Sequence, residues 1–170
     1  METANENDIS VTPKGNNKAA LVSAIMNAVN AALCLGLIVF ILALTFSGNM
    51  NYDTEDAGEA IGLIFVIILF LPIALIITVP AGLTGAILQA VRSIIYFTQV
   101  KSDKKSSLAA VIICLVVKIL IAVPLLFGAL LLGAIWGKNN GWVTYITFYL
   151  GLAAVISSFV ATGFEFAARK

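Results

Sequence analysis

The 170-residue chain has no histidine, two cysteines, four prolines and few charges, with 11% charged side chains against 61% hydrophobic. Without histidine it lacks the commonest general base and the commonest metal and haem ligand. Cys34 and Cys114 stand alone inside apolar stretches. That pattern excludes Cys-x-x-Cys redox and zinc sites and predicts buried free thiols. Soluble domains carry about 25% charged residues, and this chain has too few to coat a globule. A soluble enzyme, a disordered chain and a nucleic-acid-binding module are all excluded on that ground. Catalytic signatures are also missing: no HExxH, no Gly-rich phosphate loop, no nucleophile with a neighbouring base. The chain reads as non-enzymatic, with no cofactor and no metal.

What is present is long apolar sequence. A hydrocarbon core of about 30 Å takes roughly 20 helical residues to cross. Four stretches qualify, at about 19–46, 60–88, 108–136 and 142–166. They predict an all-α polytopic membrane protein, an antiparallel bundle of four transmembrane helices spanning residues 19–168. Residues 1–18 read as a polar, disordered tail. Thr45-Phe46-Ser47 matches a signal-peptide cleavage site only weakly, so the first stretch is kept as a span.

The few charges sort by side. Lys14 and Lys18 precede the first span; Arg92, Lys101, Lys104 and Lys105 lie between the second and third; Arg169 and Lys170 follow the fourth. The first connection carries Asp53, Glu55, Asp56 and Glu59 and no basic residue. By the positive-inside rule both termini and the middle connection are expected in the cytoplasm. The expected location is the plasma membrane of a bacterium, as a multi-pass protein. The acidic loop does not match an EF-hand, and the basic middle connection needs no partner beyond lipid headgroups. Helix starts are expected at Asn17, at Asp56 with Glu59 three residues on, and at Asn140. Trp136 and Trp142 bracket the short second outer connection, where indoles favour the interface.

The second span raises a length problem, because one helix from Ile61 to Gln99 would run about 58 Å. Pro72 and Pro80 each remove a backbone donor, and Gly82 and Gly85 follow. A kink at Pro72 and a bend or break near Pro80, Gly82 and Gly85 are expected. Residues 89–107 are then a cytoplasmic connection whose start is amphipathic. Beyond the break, a helical face of Leu83, Ile87, Ala90, Val91 and Ile94 would lie partly in the interface, with Gln89, Arg92, Ser93 and Tyr96 elsewhere.

Polar residues within spans are costly and draw attention first. Ser23, Asn27, Asn30 and Cys34 share one helical stripe of the first span. Cys114, Lys118, Ala122, Ala129 and Gly133 share a stripe of the third; Thr147, Gly151, Ala154, Ser158, Ala161 and Glu165 share one of the fourth. The small residues predict a packing face of Ala122, Ala129, Gly133, Gly151, Ala154 and Ser158. Folding the third span back on the fourth brings Ala129 near Gly151 and points Lys118 at Glu165, so a charge-swapped pair is expected to recover part of any lost stability. Asn27, Asn30, Lys118 and Glu165 form the expected intramembrane polar cluster, all in the cytoplasmic half. Residues 35–44 of the first span have no polar side chain, so a through-path is unsupported in one copy.

In outline the chain resembles tetraspan membrane proteins, but it lacks the Cys-Cys-Gly motif and cysteine-rich loop of tetraspanins and the Trp- and Cys-bearing loop of claudins. Two function classes follow from the residues. One is an accessory, assembly or immunity-type protein acting by lateral helix contacts with a membrane protein partner or a second copy. The other is a small-solute or ion transporter, or a channel protomer, with a polar vestibule facing the cytoplasm.

Overall fold

In the computed structural model, residues 16–46, 57–102, 106–137 and 141–169 are described. They form four helices: α1 (Asn17–Phe46), α2 (Ala57–Ser102), α3 (Leu108–Gly137) and α4 (Gly141–Ala167). All four are long and apolar enough to cross a membrane. The helices pack in a ring, α1 on α2, α2 on α3, α3 on α4 and α4 on α1. Asp53, Glu55, Asp56, Lys104, Lys105, Lys138 and Asn140 lie outside the described residues, and of Glu59 and Trp136 only the backbone is described.

Helix starts obey capping chemistry, with one correction. Asn16, not Asn17, caps α1: its Oδ1 accepts from the Ala19 amide at 3.1 Å. At α3 the cap is Ser107, whose Oγ accepts from the Ala110 amide at 3.1 Å. Each helix then buries a stripe at spacings of three and four. In α4 the stripe is Val143, Thr147, Gly151, Ala154, Ser158, Ala161 and Glu165. In α1 it includes Ala20, Ser23, Ala24, Asn27, Asn30, Cys34, Leu37 and Ile41.

The break expected at Pro80–Gly85 is absent. Helix α2 runs uninterrupted through Pro72, Pro80, Gly82 and Gly85 for 46 residues, about 69 Å at the usual helical rise. Residues 89–102 therefore continue the helix instead of opening a connection. The two prolines are exposed, so each ring points away from the helix contacts and costs little beyond one hydrogen bond. The two glycines serve close approach. A Cβ at Gly82 would sit 2.9 Å from Ile38, and one at Gly85 would sit 3.3 Å from Ile121 and 3.6 Å from the Cys34 sulfur.

The sidedness of this segment also departs from expectation. Leu83, Ile87, Val91 and Ile94 are exposed, whereas Gln89, Arg92, Ser93 and Tyr96 are buried. In water such a helix would be inside out. With hydrocarbon as solvent the apolar face belongs outside and the polar face must find partners within.

Three zones follow one another through the interior. An apolar core unites Leu37 and Ile41, Leu71 and Ala74, Leu125 and Leu132, and Val143 and Ala154. A small cluster of Ala19, Ala20, Ala24, Tyr96 and Ala168 closes the other end. The polar side chains lie between them.

Candidate functional site

Glu165 is the hub of the polar zone and has no exposed surface. Its Oε2 accepts from Arg92 Nη2 at 2.8 Å. Its Oε1 accepts from Asn27 Nδ2 at 3.0 Å and from Lys118 Nζ at 3.2 Å. One carboxylate from α4 thus gathers donors from α1, α2 and α3. The cations have further partners. Lys118 Nζ donates to Thr162 Oγ1 at 2.9 Å, and Arg92 Nη2 donates to Tyr96 Oη at 3.0 Å. The Asn27 amide also donates to the Ser23 carbonyl at 2.9 Å.

Local geometry explains the convergence. Asn27 and Ser23 are one turn apart on α1, as are Arg92 and Tyr96 on α2 and Ser158, Thr162 and Glu165 on α4. Each helix therefore offers a ladder of polar groups on its inward face. Long flexible side chains from α2 and α3 cover the remaining distance.

Around this hub, satellite bonds tie neighbouring helices. Ser93 Oγ donates to the Ala24 carbonyl at 2.9 Å, and Gln89 Nε2 donates to Ser158 Oγ at 2.8 Å. Asn30 does not reach Glu165; its Oδ1 accepts from Ser157 Oγ at 2.9 Å, one layer away. Gln89 Oε1 is buried without a hydrogen-bond partner. Beside it lies a cavity of about 20 Å³ bounded by all four helices, with Cys34, Gly85, Gln89, Lys118, Ala122 and Ser158 in its wall.

The cluster expected from sequence thus comes together at Asn27, Lys118 and Glu165, and Asn30 sits beside it. The packing residues divide between two roles. Ala129 meets Gly151, where an added Cβ would lie 3.1 Å from the Ala129 methyl. Gly133 faces Thr144 and Thr147, and its carbonyl accepts from Thr144 Oγ1 at 2.7 Å. Ala122, Ala154 and Ser158 instead border the cavity.

Arg92 is a correction. By sequence it is one of the basic residues expected to lie in a charged connection, yet it is 6% exposed and paired with Glu165. Gln89, Tyr96 and Thr162 also belong to the zone. The signal for the first two was their common face with Arg92 at spacings of three and four. It was legible as inward-facing only if the helix stays within the hydrocarbon.

Chemically the zone holds two cations and one carboxylate, with no group of His, Cys, Asp and Glu suited to a metal among the described residues. No protein-family model, curated protein or solved structure matches the chain, so the functional reading rests on these residues.

Proposed function

We propose that this chain is a non-catalytic, multi-pass protein of a bacterial plasma membrane that acts through lateral contacts of its outer helix faces, as an accessory, assembly or immunity-type subunit. The carrying observation is the direction of its polar groups. Among the described residues, the buried charged side chains are Arg92, Lys118 and Glu165, and both cations are bonded to the Glu165 carboxylate. The outer surface offers apolar side chains such as Val39, Ile68, Leu120 and Tyr145, each more than 60% exposed. Recognition by another molecule in the bilayer would use those faces and close helix packing.

The arrangement fits an antiparallel bundle with both termini in the cytoplasm. The basic residues flank the ends that this threading puts inside, and α1 and α4 supply the three interior zones in opposite order. Interhelical hydrogen bonds in membranes contribute only about 0.6 kcal/mol on average. An unpaired buried charge costs about 3–5 kcal/mol. The polar zone therefore does more to select one helix pairing than to add stability.

A photo-cross-linking amino acid placed at Ile68, Leu120 or Tyr145 in native membranes tests this reading. The expected result is a discrete adduct, with a partner or a second copy, from at least one outward position and none from inward Leu37. A chain that stays monomeric at every outward position overturns it.

The central cavity beside Lys118 favours a second reading, a transporter or channel protomer. Liposome flux with wild type, Asn30→Leu and Lys118→Leu separates the two. Equal leakage in all three removes the transport reading.

A further inference from the structure

The charges of the polar zone do not balance. Arg92 and Lys118 bring two positive charges to one negative charge on Glu165, leaving an excess of one. All three side chains are within the buried core. No other acidic side chain among the described residues comes near. Glu59 stands 33 residues before Arg92 on the same helix, roughly 50 Å away along its axis. An uncompensated charge in a low-dielectric interior is strongly unfavourable and calls for a counterion.

The cavity touches this cluster at one of its two cations. Lys118 lines it and Glu165 does not. The other polar wall groups are Gln89, Ser158 and the Cys34 thiol, each able to present a hydrogen. Gln89 decides the sign of the ligand. In one orientation of its amide, Nε2 donates to Ser158 and Oε1 is left without a partner. Turning the amide over lets Ser158 Oγ–H donate to Oε1 and frees the two Nε2 hydrogens of a residue that lines the cavity. Amide orientation follows the hydrogen-bond network, and this one satisfies Oε1. The wall then carries the Lys118 ammonium, the Gln89 amide donor and the Cys34 thiol around a space large enough for one small species, the Ser158 hydrogen being held by Oε1.

We propose that this cavity is a binding site for a monatomic anion of the halide class, chloride in the first instance, which balances Lys118 at the centre of the four helices. The proposal goes beyond both functional readings, because a resident counterion would answer the charge count of the described residues whether or not anything is transported. Size and apolar walls of Gly85 and Ala122 select against oxyanions such as sulfate.

The test uses the full chain in mild detergent and its two buried free thiols. A thiol-reactive fluorogenic dye reports unfolding as Cys34 and Cys114 become exposed. Chloride replaces gluconate at constant ionic strength. Wild type is expected to show a saturable rise of a few degrees in the unfolding midpoint, reproduced by bromide and not by sulfate, since a ligand bound only by the native state stabilises it by mass action. Lys118→Met removes the excess charge and Ala122→Leu fills the space while keeping the charge; both are expected to lose the rise. Equal midpoints in chloride and gluconate for wild type, or an undiminished rise in either variant, overturns the proposal and leaves the cavity to water. Chloride NMR line broadening with wild type gives a readout independent of folding in the variants, and its absence has the same force.

Discussion

Arg92 Nη2 and Glu165 Oε2 lie 2.8 Å apart, joining α2 to α4 through two side chains with almost no exposed surface. Lys118 approaches the other oxygen of the same carboxylate at 3.2 Å. Glu165 is thus shared, and its two cations are not equivalent. Arg92 makes the shorter contact, and Lys118 divides its hydrogens among Glu165, Thr162 and Asn27.

Charge counting ranks the single substitutions. Glu165→Gln leaves two buried cations without an anion and is expected to destabilise by about 3–5 kcal/mol. Lys118→Met leaves a balanced Arg92–Glu165 pair and is expected to cost only ~1 kcal/mol, the scale of membrane hydrogen bonds. Arg92→Met falls between, because Lys118 remains as the counterion. Unfolding of the purified variants in detergent checks the order, and a Lys118→Met loss equal to that of Glu165→Gln would contradict it.

The shared carboxylate changes the outcome of a charge swap. If Lys118 and Glu165 formed an isolated pair, exchanging them would restore the attraction. With Arg92 at 2.8 Å from position 165, a lysine there meets a second cation. Lys118→Glu with Glu165→Lys is therefore expected to stay well below wild type in stability, although it improves on Glu165→Lys alone, which leaves three cations and no carboxylate. Full recovery to wild-type stability in the double variant would mean that Arg92 is not held at this site.

Glycine contacts give a separate test of the packing. A methyl at Gly128 would overlap the Thr78 side chain, whose hydroxyl is held by the Ala74 carbonyl at 2.7 Å. Gly128→Ala is expected to destabilise by about 1–3 kcal/mol through overpacking. At Gly36 an added Cβ meets nothing within 4 Å, so Gly36→Ala should be neutral or mildly stabilising. Indistinguishable midpoints for the two variants would show that α2 and α3 do not pack in this register.

Threading can be read with single cysteines in a background carrying Cys34→Ala and Cys114→Ala. Asp53→Cys is expected to react with a membrane-impermeant maleimide in intact cells. Lys104→Cys should react only after the membrane is opened. The reverse pattern would invert the topology drawn from the lysine and arginine distribution.

Much of the molecule was legible because the periodicity of a helix survives in any solvent. The inward stripes Ser23-Asn27-Asn30-Cys34 and Thr147-Gly151-Ala154-Ser158-Ala161-Glu165 repeat at three and four residues, and every member is buried as that spacing places it. The cap of α1 was off by one residue, since Asn16 and Asn17 are chemically equal and only backbone position separates them. The α2 break was misread for a stronger reason. Proline and glycine disrupt helices in water, but backbone groups in hydrocarbon keep their internal bonds, and Gly82 and Gly85 are explained by the side chains they admit.

By itself, the sequence determined the number of helices long and apolar enough to cross a membrane and which residues share a face, since these depend on composition and on 3.6-residue periodicity alone. Only the tertiary structure decided that Arg92 is an interior charge and that one carboxylate serves two cations. It also decided that Gln89 Oε1 is left beside a cavity. Those facts depend on where four separate helices meet, and local sequence holds no measure of that distance.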